Sequence, residues 1–162
     1  MHRSLRRMSI ALVAAACVAF AIAAPSGAGD SISVSGGATP TNPSPLVPRV
    51  AGENFVFDAV GTHAWTGDFT GTSTIDVHFV VHDLQSLTYQ GFITFTGTTP
   101  CGTGTVNFAS SGEGAYPGPI YGKATTIDAS DASVAVHGQL DLVLFLTPAG
   151  AVVTYAGNVR CG

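Results

Sequence analysis

Apolar side chains recur at every second position along several long segments of the chain. Within residues 73–82 one parity carries Ile75, Val77, Phe79 and Val81, while the other parity is mostly polar. Segments 87–98 and 133–146 show the same alternation. Successive side chains of a β-strand point to opposite faces. The pattern therefore predicts antiparallel strands that bury one face and leave the other in water.

Clusters of Gly, Pro, Asp and Ser divide residues 53–162 into eight predicted strands. These strands lie near 54–59, 63–70, 73–82, 87–98, 103–110, 121–128, 133–146 and 151–160. An open sheet of that size would expose two strand edges. The predicted fold is therefore all-β, a small antiparallel closed β-barrel of about eight strands, with a two-sheet β-sandwich as the alternative. Segment 112–122 contains prolines and is predicted to be the longest loop.

The first 52 residues do not resemble the rest of the chain. Residues 1–28 have a basic start, the apolar run 10–24 and then small residues, which predicts a secretory signal peptide. A retained N-terminal anchor is the alternative. Residues 29–52 are rich in Ser, Gly and Pro and are predicted to be a disordered linker. The sequence thus divides into a signal peptide, a linker and a barrel domain at 53–162, and it predicts a secreted, extracellular protein.

The charge balance excludes several kinds of partner. Charged residues make up 10% of the chain, and only three basic residues, Arg49, Lys123 and Arg160, remain after the leader. They face ten acidic residues, which gives a net charge of −7. Nucleic-acid binding requires clustered basic side chains. We therefore expect no nucleic-acid partner and no membrane contact after signal removal, while assembly of identical subunits is left open.

Two cysteines remain after the leader, which contains Cys17. In an oxidising compartment Cys101 and Cys161 are expected to form one disulfide. A metal or redox pair is the alternative, but the chain has neither a CxxC motif nor a histidine close to either cysteine in sequence. The sequence predicts no cofactor.

Gly- and Thr-rich runs between residues 57 and 159 resemble a known family. The runs are Trp65–Ser73, Tyr89–Gly91, Phe95–Thr98, Gly102–Thr105 and Ser111–Glu113. In this order they resemble an uncharacterised family of bacterial secreted barrels, similar in fold to allene oxide cyclase and the dirigent proteins. The chain departs from that family at 128–133, where it lacks a Gly-rich stretch. The resemblance implies an eight-stranded barrel with an internal cavity, whose relatives cyclise or orient small apolar molecules or have no known activity.

Five aromatic side chains share the parity predicted to face inward. They are Trp65, Phe69, Tyr89, Phe95 and Tyr155, and several of them have glycines two residues away. Such an arrangement predicts an apolar ligand pocket with two hydroxyl groups. A filled core, in which the glycines ease sheet curvature, is the alternative. Among ionisable side chains, only Lys123 is assigned to the inward parity. The sequence leaves the orientation of His63 undecided.

A few polar residues are weaker candidates for chemistry. Glu113 is expected at the barrel mouth, where it could act as a general base with Tyr89 and Tyr155 as polar contacts. Asp76 and His78 lie two apart on one strand face and could share a metal with a third ligand. Both ideas compete with the simpler interpretation that these residues are solvated.

The sequence as a whole predicts a secreted, non-catalytic β-barrel that binds a small apolar molecule or a partner. A cyclase or isomerase similar to allene oxide cyclase is the alternative, because confinement of a reactive substrate requires few charged groups. A spacer in the cell envelope with no ligand is the third hypothesis.

Overall fold

The computed structural model describes residues 29–42 and 46–162, and in these ranges the chain forms nine β-strands. The strands are β1 (Ile32–Asn42), β2 (Arg49–Ala51), β3 (Asn54–Gly67), β4 (Thr70–His82), β5 (Ser86–Thr99), β6 (Gly102–Ala115), β7 (Pro119–Ile127), β8 (Val136–Thr147) and β9 (Gly150–Cys161). The predicted signal peptide, residues 1–28, lies outside the described ranges.

Eight of these strands close into an antiparallel barrel. Strands β3 to β9 pair in chain order, and β1 pairs with β9 on one side and β3 on the other. The short β2 lies outside the barrel and pairs with the start of β3. Closure satisfies the ladder groups that an open sheet would leave at its edges. The predicted barrel is confirmed, and the sandwich alternative is wrong.

The linker predicted for residues 29–52 is wrong over β1, which is the strand that closes the barrel. Only Val34 and Ala38 of this strand are buried apolar side chains. Its outward positions carry Ser and Thr, so its composition is that of a linker. Gly36 is required because a Cβ atom there would collide with the Tyr155 hydroxyl group.

Other strand boundaries also differ from the prediction. The predicted strands 54–59 and 63–70 are one continuous strand, β3, up to Gly67. The predicted loop 112–122 is a short turn, since β6 reaches Ala115 and β7 begins at Pro119. A proline is tolerated there because the first residue of a strand can lack a ladder donor.

The barrel interior holds the alternating apolar side chains, as predicted. Trp65, Phe69, Phe79 and Val81 are all at most 4% exposed, while Thr70, Thr72 and Asp76 on the opposite parity are exposed. The barrel has two ends, which we name by their turns. The closed end carries the β3–β4 and β5–β6 turns, and the mouth carries the β4–β5, β6–β7 and β8–β9 turns.

Cys101 and Cys161 form the predicted disulfide at the closed end, with Cα atoms 5.2 Å apart. The bond joins the β5–β6 turn to the end of β9. A disulfide indicates an oxidising compartment.

Candidate functional site

Aromatic rings fill the closed end of the barrel. Trp65 lies 5.4 Å from Phe95 and 5.1 Å from Tyr155, measured between ring centroids. Phe69 lies 5.4 Å from Phe95 and 6.1 Å from Phe108. These distances are those of aromatic pairs in contact, so this end of the barrel is packed.

The Tyr155 hydroxyl group holds the β3–β4 turn. It accepts a hydrogen bond from the Phe69 backbone N–H at 2.9 Å and donates to the Thr66 carbonyl at 3.1 Å. Gly67 in this turn has a φ of 100°, a conformation that glycine adopts readily. Burial raises the pKa of Tyr155 above its usual value. Tyr155 therefore has a structural role here, and its predicted contact with a ligand stays a prediction.

Tyr89 and Trp65 are also hydrogen-bonded within the barrel. Ser110 Oγ donates to the Tyr89 hydroxyl oxygen at 3.2 Å, and Trp65 Nε1 donates to Ser73 Oγ at 2.9 Å. Burial raises the pKa of Tyr89. Both residues line an inner apolar cavity of about 40 Å³. Phe69, Phe95 and Tyr155 do not line this cavity.

Two further spaces lie nearer to the mouth. The middle cavity measures about 30 Å³, and its lining includes Pro40, Leu46, His63, Phe79 and Leu146. The mouth pocket measures about 380 Å³ and is open to solvent. Its lining is Leu46, Pro48, Phe57, Tyr116, Pro117, Gly118, Phe145, Leu146, Thr147 and Pro148. Leu46 and Leu146 line both, so the middle cavity adjoins the mouth pocket. Its lining also reaches the exposed Val60 on β3.

Sequence reasoning missed the mouth pocket. Leu46 falls in the predicted linker and gave no signal. Phe145 did give one, because it is a large apolar side chain on the polar parity of β8, and it is 51% exposed in the structure.

His63 lies inside the barrel and is 4% exposed. Its Nε2 atom lies 2.9 Å from the Ala151 carbonyl oxygen. The pairing of β1 with β9 ends at Ala38, and the same register would place Pro40 opposite Ala151. Proline has no N–H to donate. His63 therefore supplies the donor that β1 lacks, and its side chain faces the barrel interior.

Lys123, in contrast, is on the outer face and donates to Asp141 at 3.0 Å, so its predicted inward position is wrong.

Burial lowers the pKa of His63 below its usual 6.5, and the bond to Ala151 opposes this shift. The unfolded chain therefore takes up a proton at a higher pH than the folded protein does. We expect the free energy of unfolding to fall as the pH drops below about 6.5, by at most about 1.4 kcal/mol per pH unit. The decline should end at the lower pKa of the folded protein.

Urea denaturation of the wild type and of His63→Gln at pH 7 and pH 5 tests this expectation. Glutamine keeps a donor for Ala151 but does not titrate, so the variant should lose less stability between the two pH values. Equal losses would show that other groups cause the decline. No carboxylate lines the inner or the middle cavity beside His63. The other titratable residue in their lining is Tyr89.

Asp76 and His78 lie on the outer face of β4. His78 Nδ1 is 2.7 Å from Asp58 Oδ1, and Arg49 binds the other oxygen of Asp58 at 2.6 Å. The hydrogen bond from His78 is the main cause of the lowered pKa of Asp58. Across residues 29–42 and 46–162, no group of three His, Cys, Asp or Glu side chains could hold a metal ion. The structure therefore pairs His78 with Asp58 rather than assembling ligands around Asp76.

Glu113 is exposed on the outer face of β6, opposite Thr88 and Tyr121 on the neighbouring strands. It lies two residues before the end of β6 at the mouth, and the alternation of the strand directs its side chain outward. Its role as a general base stays a prediction.

No protein-family model matches the sequence, and no curated protein matches it significantly. Of what the resemblance to the bacterial secreted barrels implies, the structure confirms the closed antiparallel barrel of eight strands. In the described ranges there is no helix long and apolar enough to cross a membrane.

Proposed function

We propose that this chain is an exported protein that binds a small apolar molecule in its mouth pocket and does not transform it. The observation that supports this proposal is the lining of the pocket, which also has room for a small molecule. It measures about 380 Å³, which lies within the range of about 300–1,000 Å³ for small-molecule sites. Leu46, Phe57, Phe145 and Leu146 provide apolar contacts. The two interior cavities, at about 40 and 30 Å³, are too small to hold such a molecule alone.

The chemistry of the lining supports binding without catalysis. Tyr116 is its one titratable side chain, and acid–base catalysis needs a positioned donor or acceptor of protons near the reacting atoms. The alternative, a cyclase of the allene oxide cyclase type, works by confining its substrate. The mouth pocket is open to solvent, and the inner and middle cavities are small, so we place this alternative second.

Export is the other part of the proposal. The disulfide indicates an oxidising compartment, and the sequence of residues 1–28 has the pattern of a signal peptide. The net charge of −7 after its removal disfavours nucleic acids and anionic membranes as partners.

Titration with N-phenyl-1-naphthylamine, a neutral dye that fluoresces in apolar surroundings, tests binding in the mouth pocket. Phe145→Ala should weaken dye binding roughly fivefold, because a half-exposed phenyl ring contributes about 1 kcal/mol of burial to a bound molecule. The matched control is Phe92→Ala, which removes a somewhat more exposed ring (61% against 51% for Phe145) from the outer face of β5, outside the mouth pocket. It should leave the affinity unchanged.

The proposal fails if the wild type does not bind the dye, or if both variants lose affinity equally. Native mass spectrometry of the exported protein would identify any molecule that co-purifies with it. The same spectrum would give the number of subunits, which the sequence left open.

A further inference from the structure

His63 has one ring nitrogen whose hydrogen-bonding capacity is not used by the described residues. A carbonyl oxygen can only accept a hydrogen bond, so the contact with Ala151 places the proton of the neutral ring on Nε2. The other nitrogen, Nδ1, is therefore a bare acceptor. It is buried and has no hydrogen-bond partner among the described residues. The need to replace the missing N–H of Pro40 accounts for Nε2 and leaves Nδ1 unexplained.

The position of His63 connects it with the mouth pocket. His63 lines both the inner and the middle cavity, together with Phe79 and Ile75. The middle cavity in turn shares Leu46 and Leu146 with the mouth pocket. The mouth pocket and the cavity that His63 lines are therefore neighbours that share these two leucine side chains.

We propose that the molecule bound by this protein is a neutral, unbranched alcohol whose hydroxyl group donates a hydrogen bond to His63 Nδ1. This inference rests on the proposed function, since it extends a molecule already seated in the mouth pocket. Because Nδ1 carries no proton, a ligand that binds it must donate the hydrogen bond. A buried acceptor without a partner is unfavourable, so such a ligand is favoured. A carboxylate has no proton to donate, and an ion would lose its hydration in this apolar space. The small middle cavity favours a chain end over a ring.

Two isomers, 1-octanol and heptyl methyl ether, compare a ligand that can donate a hydrogen bond with one of the same composition that cannot. They have the same atoms and nearly the same shape, but only the alcohol can donate. The wild-type protein, labelled with ¹⁵N, would be titrated with each isomer while dye displacement and the His63 Nδ1 chemical shift are recorded. We expect the alcohol to bind about tenfold more tightly. Only the alcohol should move the Nδ1 signal in the direction of hydrogen-bond acceptance.

Each other outcome overturns the inference in a distinct way. Equal affinities with an unmoved Nδ1 signal would show that His63 does not contact the ligand, while the proposed function would stand. Failure of both isomers to displace a dye that does bind would reject this ligand class alone. A ligand-free Nδ1 signal already typical of an accepted hydrogen bond would show that water satisfies it. If the dye itself does not bind, the proposed function fails first.

A variant gives an independent test. His63→Leu removes the acceptor, so the preference for the alcohol over the ether should disappear. Phe92→Ala should keep the full preference. If His63→Leu does not fold, the Nδ1 measurement on the wild type still decides the question.

Discussion

Replacement of Phe69 by alanine should lower the free energy of unfolding by about 3–5 kcal/mol, the range for a buried phenylalanine. Phe69 is 0% exposed, and its ring contacts Trp65, Phe95, Phe108 and Tyr155 at centroid distances of 5.4 to 6.1 Å. Backbone hydrogen bonds between the paired strands around this ring hold the barrel wall in place. The wall therefore cannot collapse into the space, and the loss includes the full cost of a cavity.

Urea denaturation followed by the fluorescence of Trp65, the one tryptophan of the chain, measures this loss directly. Phe92→Ala is the matched control, because its ring is exposed and should contribute less than about 0.5 kcal/mol. A loss below about 1 kcal/mol for Phe69→Ala would show that the closed end is loosely packed. The predicted ligand pocket among these aromatic residues would then regain support.

The sequence was most informative where the physics is local. Alternation along β4, β5 and β8 follows from the geometry of a single strand, and it placed Phe79, Phe95 and Leu142 inside correctly. The disulfide was predictable because only two cysteines follow the predicted signal peptide. Closure into a barrel followed from counting the strands and considering what their edges require.

The errors arose where the outcome depends on distant partners. Strand β1 has few apolar residues, and its stability comes from pairing with β3 and β9. The number of barrel strands was right only because the missed β1 offset the division of β3 into two. His63 depends on Ala151, 88 residues away, and on the missing N–H of Pro40. No pattern within one segment contains these relations.

Loss of the disulfide is the second large effect that we expect. Replacing Cys101 and Cys161 together by serine should lower the free energy of unfolding by about 4 kcal/mol, from the chain entropy of a closed loop. The two cysteines are 60 residues apart, and the link restricts the unfolded chain across β6, β7, β8 and β9. For a barrel of this size the difference is a large share of total stability, since small domains are stable by about 5–15 kcal/mol.

The cause of this loss can be separated from damage to the folded protein. If the disulfide acts mainly on the unfolded chain, the double serine variant should keep the mouth pocket and bind the naphthylamine dye with unchanged affinity in the absence of urea. The pocket lies at the opposite end of the barrel from Cys101 and Cys161, so loss of the bond does not remove any of its lining. The wild type with its disulfide reduced should match the variant in both measurements. Weakened dye binding in the folded variant would show instead that the bond maintains barrel geometry up to the mouth. A loss of less than about 1 kcal/mol in the free energy of unfolding would show that the unfolded chain is already compact without the bond.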